Sequence, residues 1–248
     1  MKVSIITATY NSASTVKDTL DSVREQDYPD IEHIIVDGLS KDQTLKVVGE
    51  YPHITTVVSE KDDGIYDAMN KGISMVKGDI VGILNSDDFY AGKDVISLVV
   101  NAFTKTGCDA VYGDLVYVDK DNVDKVVRYW KAGSYKSDAF KWGWMPPHPT
   151  LFVSRRVYER YGLFNLDLTT AADYELMLRF IHKYQIKLEY IPELLVKMRI
   201  GGASNSTIAG RVRANRSDRS AWTVNKLRPF WFTIYLKPLR KLSQFIRR

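Results

Sequence analysis

Four apolar runs, each followed by a stretch with helical spacing, fill the first 106 residues, and this alternation restricts the fold more than any other feature. Val3 to Thr7 precedes Ser14 to Arg24, where Val16, Leu20 and Val23 recur at helical intervals. Ile31 to Val36 leads through Asp37-Gly38-Leu39-Ser40 into a helix expected from about Asp42 to Tyr51. Ile54 to Ser59, a helix over Tyr66 to Lys77, a strand over Asp79 to Leu84 and a helix over Asp94 to Thr106 continue the series. Strands and helices at this spacing are joined by right-handed crossovers, lie parallel, and gather the loops at their carboxyl ends into one crevice. Thr7–Asn11, Asp37–Ser40, Glu60–Gly64 and Asn85–Asp88 are therefore expected to converge.

Beyond residue 106 the pattern changes. Ala110 to Val118 and Asn122 to Trp130 read as an antiparallel hairpin turned at Asp119-Lys120-Asp121. Residues 131–150, rich in Trp, Pro and Gly, read as a loop over the crevice, followed by a strand at Thr150 to Val153 and helices at Arg155 to Tyr161 and Ala172 to Tyr184. A single cysteine, Cys108, excludes an internal disulfide framework and any multi-cysteine metal site, and fits a reducing compartment. The first ten residues read as a buried strand rather than a signal peptide, and no window reaches the roughly 18 to 20 apolar residues of a spanning helix. Residues 208–248 hold eleven Lys and Arg against one Asp, so the net charge of +5 hides an acidic body and a basic, aromatic tail. That asymmetry points to an anionic surface rather than nucleic acid.

Acids crowd the strand ends. Asp87 and Asp88 directly follow Ile80-Val81-Gly82-Ile83-Leu84, and adjacent like charges beside a low-dielectric wall need a cation or a donor array. Oxygen ligands of this kind suit Mg²⁺ or Mn²⁺. The same four residues, Asn85-Ser86-Asp87-Asp88, also read as a helix cap, and the segment alone does not decide between the two. No Walker loop and no Gly-x-Gly-x-x-Gly follows a strand, so a metal would have to replace a glycine-rich phosphate cradle.

Over about residues 1–205 several blocks together resemble family 2 glycosyltransferases of the GT-A fold, of the bacterial surface polysaccharide and lipopolysaccharide type. The blocks are Val3-Ser4-Ile5-Ile6-Thr7-Ala8-Thr9-Tyr10-Asn11; Ser22, Gln26, Tyr28 and Pro29; Ile34-Ile35-Val36-Asp37-Gly38 with Ser40, Asp42 and Thr44; and Gly64-Ile65-Tyr66-Asp67-Ala68-Met69-Asn70-Lys71-Gly72. The resemblance implies an α/β fold with a Rossmann-like, mostly parallel central sheet covered by helices on both faces. It implies a nucleoside-diphosphate sugar donor, a Mn²⁺ or Mg²⁺ ion, and transfer with inversion to a glycan or lipid-linked acceptor. Thr7, Thr9 and Asn11 would then line the nucleoside pocket, Asp37 would accept a hydrogen bond from the base, and Asp62 would border the same pocket. Asp87 and Asp88 match the acidic motif, with Asp87 near ribose and diphosphate and either acid on the metal. Asn85 and Leu39 depart from the pattern, standing where relatives carry Asp and Gly.

Thr169-Thr170-Ala171-Ala172-Asp173-Tyr174-Glu175-Leu176-Met177-Leu178-Arg179 resembles the family's acidic block, which makes Asp173 the implied general base; Asp173 also reads as the cap of a helix starting at Tyr174. Arg199, ahead of Gly201-Gly202-Ala203-Ser204, would stabilise the leaving diphosphate. His148, between prolines, reads first as structural, and Trp142 and Trp144 either stack on a sugar or lipid headgroup or cover the core. The expected organisation is a catalytic domain over 1–207, split into a donor half (1–106) and an acceptor half (107–207), and a basic amphipathic helical tail over 208–248. The tail would attach the protein to the anionic cytoplasmic face of a bacterial inner membrane or pack on the domain, with a homo-oligomer left open. The expected function is inverting sugar transfer in cell-surface polysaccharide biosynthesis; a silent carbohydrate-binding scaffold and a sugar nucleotidylyltransferase are the rivals.

Overall fold

The computed structural model describes residues 1–201, 217–240 and 244. Strands β1 (Val3–Thr9), β2 (Ile31–Asp37), β3 (Ile54–Ser59) and β4 (Ile80–Ile83) alternate with helices α1 (Val16–Arg24), α2 (Thr44–Val48) and α3 (Ile65–Met75). All three pairings within this group are parallel, with Val3 opposite Ile31 on one side of β1 and Ile80 on the other. The short β5 (Asp88–Tyr90), α4 (Val95–Thr106), β6 (Ala110–Val118), β7 (Val126–Trp130), β8 (Phe152–Ser154), α5 (Arg155–Tyr161), α6 (Ala172–Met177) and β9 (Leu188–Arg199) follow. The strands form one nine-stranded sheet in the order β3-β2-β1-β4-β8-β6-β9-β5, with β7 added beside β6. Past β4 the sheet is mixed: β8 runs antiparallel to β4 and β6, while β6 and β9 run parallel.

Both faces are covered because β1 alternates its partners. Val3 and Ile5 pack with Ile96, Val99 and Phe103 of α4, whereas Ile6 and Ala8 pack with Ala68, Met69 and Ile73 of α3. A Cβ at Gly72 would sit 2.4 Å from Ile6 Cγ2, so α3 approaches the sheet more closely than a side chain there would permit.

Several boundaries differ from the sequence reading for local reasons. The Asp42 carboxylate takes the Thr44 backbone N–H (2.9 Å) and hydroxyl (2.5 Å), which starts α2 at Thr44. The hairpin turn is longer than three residues because Asp119 collects the N–H groups of Asp121 and Asn122, and Asn122 collects that of Asp124. Asp173 lies in the first turn of α6 and does not cap it; Ala171 holds the capping position. Residues 178–183 continue α6 as a π-helical turn. The segment 131–150 anchors itself in the core, with Phe140 fully buried and Trp144 donating its indole N–H to the Ala132 carbonyl at 2.8 Å, while Trp142, at the end of the turn Ala139–Trp142, stays exposed.

Of the expected tail, 217–240 is described, and it packs on the domain. A helix over 217–224 (α7) buries Ala221 and Trp222, and the Trp222 indole donates to the Tyr174 hydroxyl at 3.0 Å. Asn225 donates to Glu175, which is also paired with Arg179; the Arg179 guanidinium reaches the carbonyls of Tyr161 and Leu163. Helix α8 (Thr233–Arg240) is held by Lys237, which pairs with Asp218 at 2.8 Å and lies 3.7 Å from the centre of the Tyr174 ring. Residues 208–216, 241–243 and 245–248 of the expected tail, and Gly202-Ala203-Ser204, lie outside the described residues. No helix among the described residues is long and apolar enough to cross a membrane.

Candidate active site

The four loops at the carboxyl ends of β1 to β4 do converge, and side chains stitch them together. Ser12 and Ser86 hydroxyls meet at 2.7 Å, joining the first loop to the fourth. Asn11 donates its backbone N–H to Ser40 (2.8 Å) and accepts that of Lys41 (2.9 Å), joining the first to the second. Asp62, which also takes the Gly64 N–H at 3.0 Å, lies against Gly38, where a Cβ would stand 2.4 Å from its Oδ2. A glycine at 38 is thus what lets this carboxylate close over the second loop.

Asp37 is fully buried at the centre of this arrangement. It accepts from the Thr9 hydroxyl (2.9 Å), the Ser40 N–H (2.9 Å), the Ser40 hydroxyl (2.5 Å) and the Ser59 hydroxyl (2.7 Å). Burial pushes its carboxyl upward, but the donors from Ser40, Ser59 and Thr9 outweigh it and hold the group below the usual carboxylate range. Four donors fill the roughly four lone-pair sites of a carboxylate. Through these contacts Asp37 clamps the ends of β1, β2 and β3 together. Thr7 is fully buried, with its hydroxyl 3.0 Å from His33 Nε2. Thr9 donates to Asp37, and Asn11 and Asp62 lie in the first and third of the converging loops.

Leu39 and Asn11 both adopt left-handed backbone, with φ of 60° and 49°. Asn tolerates this conformation; Leu pays about 1 to 2 kcal/mol for it. Leu39 is also exposed, so little burial offsets the strain. Leu39→Gly is expected to raise stability by up to about 1 kcal/mol in denaturant unfolding, the gain being trimmed by the entropy glycine adds to the unfolded chain. An unchanged or lower midpoint would contradict strain at this turn.

The acidic pair divides. Asp87 is half-buried at the rim, and its backbone carbonyl accepts from Arg199 at 2.8 Å. Asp88 begins β5 with its side chain fully buried; Oδ2 takes the Asn85 amide at 3.2 Å and Oδ1 has no hydrogen-bond partner among the described residues. Burial, reinforced by neighbouring Asp87, pushes the Asp88 carboxyl well above the usual range. Arg199 ends β9 almost wholly buried, ion-paired with Asp18 and 5.0 Å from the Phe89 ring centre, so in this state it braces the Asp87 turn. No group of three His, Cys, Asp or Glu side chains among the described residues would hold a metal unaided. The accessible oxygen donor at this rim, Asp87, is of a type that would fit a hard cation such as Mg²⁺ or Mn²⁺.

At the other end of the crevice, Tyr66 follows the third loop in the first turn of α3. Its hydroxyl donates to Asp173 Oδ1 at 3.1 Å, and His148 Nδ1 lies 3.5 Å from Asp173 Oδ2. Tyr66 stacks on Phe164, and both help to line a small cavity with Met69, Ile83, Leu151 and Asp173. Burial first, then the Asp173 charge, pushes the Tyr66 phenol strongly upward, so it stays a donor. The sequence reading singled out Asp173 but missed Tyr66 as its partner and read His148 as structural. Tyr66 lay inside a quoted block; the contact with residue 173, 107 positions away, had no sequence signal.

A mixed sheet with a crevice over its parallel half, an acidic turn after β4 and a carboxylate on the facing helix define a GT-A glycosyltransferase. The chain belongs to the family described as Glycosyl transferase family 2, whose profile matches residues 4–162. It is 33% identical over 186 residues to an uncharacterized glycosyltransferase of Mycobacterium tuberculosis, covering 71% of this chain and 68% of that one. It is 26% identical over 211 residues to a PGL/p-HBAD biosynthesis glycosyltransferase of Mycobacterium bovis, covering 83% and 80%. Among solved structures, Staphylococcus aureus TarS in complex with UDP-GlcNAc superposes with a TM-score of 0.68 at 17% identity, over 99% of this chain and 72% of that one. The mannosyltransferase PcManGT of Pyrobaculum calidifontis, in complex with GDP-Man and Mn²⁺, gives 0.67 at 20% identity, over 95% and 68%. At these identities the structures establish the fold.

Proposed function

We propose that this glycosyltransferase moves a sugar from a nucleoside-diphosphate donor, with inversion, to a hydroxyl of a glycan or lipid-linked acceptor in cell-surface polysaccharide biosynthesis. The observation that carries the reading is the Tyr66–Asp173 hydrogen bond, which ties the acceptor-side helix to the third crevice loop. The relative concerned with PGL/p-HBAD biosynthesis and the neighbours bound to UDP-GlcNAc and GDP-Man with Mn²⁺ favour the same chemistry.

In this reading the donor enters over Asn11 and Asp62, with its diphosphate toward Asp87. A Mn²⁺ or Mg²⁺ ion bound by Asp87 and the diphosphate would neutralise charge on the leaving group. Asp173 takes the proton of the acceptor hydroxyl as that oxygen bonds to the anomeric carbon; the bond from that carbon to the phosphate oxygen breaks, and the nucleoside diphosphate departs. Tyr66 fixes Oδ1, leaving the Oδ2 side, near His148, to receive the proton. Holding the hydroxyl in line with the anomeric carbon supplies much of the rate. Arg199, by pinning the Asp87 turn, positions that turn for the diphosphate.

The direct test is a mass-spectrometric screen of UDP-, GDP- and dTDP-sugars with Mn²⁺ and a lipid-diphosphate acceptor. A product heavier by one sugar with at least one donor is expected. Donor binding without product for any pair would favour a silent carbohydrate-binding role.

A further inference from the structure

The packed tail leaves one face of itself outside, and that face is aromatic and basic. Trp231 is 82% exposed and Trp142 53%; Phe230, Tyr235 and Leu239 are exposed as well. They form a composite surface, because Trp142 comes from the turn Ala139–Trp142, Phe230 and Trp231 from the segment leading into α8, and Tyr235 and Leu239 from α8 itself. Ring centres of Trp142 and Phe230 are 5.8 Å apart, of Trp142 and Phe232 5.5 Å, and of Trp231 and Phe232 5.5 Å. Tyr235 and Leu239, four residues apart on α8, extend the strip along one helix face. Two hydrogen bonds lock the turn to α8: the Thr233 hydroxyl donates to the Lys141 carbonyl at 2.6 Å, and Arg240 donates to the Trp142 carbonyl at 3.2 Å. The patch is therefore preorganised.

Its charge selects the partner. Arg219, Lys226 and Arg228 are exposed cations with no Asp or Glu among residues 219–240, whereas Lys237 is paired with Asp218 and Lys141 with Asp138. A two-fold contact between copies would lay this patch on itself and bring the same cations together, which is unfavourable. An anionic bilayer offers the complementary arrangement: headgroup charge for Lys and Arg, and an interfacial layer for amphipathic Trp and Tyr rings.

The geometry points to a membrane-docking face made of Trp142, Phe230, Trp231, Tyr235 and Leu239, with exposed Lys226 and Arg228 just before it in the chain and Lys141 beside Phe230, that seats the protein on anionic lipid. Helix α8, which carries part of this face, and α7 before it brace Tyr174, the neighbour of Asp173, through Lys237 and Trp222. Resting on the transferase reading above, this places the acceptor among lipid-linked molecules, drawn from the bilayer on the Asp173 side of the crevice. The surface narrows the expected tail contact to one face and adds Trp142, which lies outside the tail.

The test is flotation of the full chain with vesicles of phosphatidylcholine alone and of phosphatidylcholine mixed with phosphatidylglycerol. The wild type is expected to float with the mixed vesicles, to stay behind with the neutral ones, and to detach as salt rises. Trp231→Ser with Tyr235→Ser, and separately Lys226→Glu with Arg228→Glu, are each expected to cut the bound fraction about tenfold or more. All four side chains are exposed, so unchanged thermal unfolding serves as the folding control. Failure of the wild type to float, or undiminished binding of both variants, overturns the proposal. So does light scattering that shows a dimer which the Trp231→Ser, Tyr235→Ser variant splits, since the face would then join two copies. Flotation needs no donor, so a chain that floats but transfers no sugar removes the transferase reading alone.

Discussion

Asp173→Asn is expected to lower sugar transfer by about 100- to 10,000-fold while leaving donor affinity within about twofold. The substitution is nearly isosteric, and the amide oxygen still accepts from Tyr66, so α6 and the cavity behind it keep their shape. What disappears is the acceptor of the proton. Loss confined to kcat would separate chemistry from binding, because a residue used equally in ground and transition states changes KM instead. Near-native turnover would take Asp173 out of the mechanism and leave its contacts with Tyr66 and His148 as structure only.

Asp87→Asn is expected to have an effect of similar size through a different step. The rim carboxylate is the accessible member of the acidic pair, whereas Asp88 is enclosed and held toward its neutral form. Replacing Asp87 by an amide removes charge from the cation site, so transfer falls by two orders of magnitude or more and donor binding loses its response to Mn²⁺. The measurement is donor affinity and turnover across a Mn²⁺ series. A variant as metal-responsive as the wild type would assign the ion elsewhere. Asp88→Asn is the contrasting case: a buried polar group changes, and the cost falls on folding rather than on metal response.

The first half of the chain was legible because β1, β2 and β4 are buried on both faces and, with β3, read as apolar runs at a repeating interval. Where that regularity ends, so does the reading. In β9, Glu189, Pro192 and Glu193 interrupt the apolar pattern, and the pairing with β6 shifts register beside Gly113, so a twelve-residue strand escaped notice. The two acids at 87 and 88 looked alike, and only the start of β5 sends one of them inside. Asp37 matched its block, yet the match did not reveal that Thr9, Ser40 and Ser59 consume its oxygens. His148 stands 25 positions before Asp173, on a separate turn, with no periodicity linking them. The tail's amphipathic pattern suits a bilayer or a protein surface equally, and tertiary packing decided for 217–240: Trp222 goes inside and Trp231 stays out.

The central claim is that the converging loops, with Asp87 at their rim, bind a nucleotide sugar together with a divalent ion. Calorimetric titration of donor nucleotide sugars into the wild-type chain, once with Mn²⁺ and once with EDTA, tests it most directly. The account predicts tight binding of at least one nucleotide sugar that weakens about tenfold or more on chelation. Equal affinity under both conditions would contradict it.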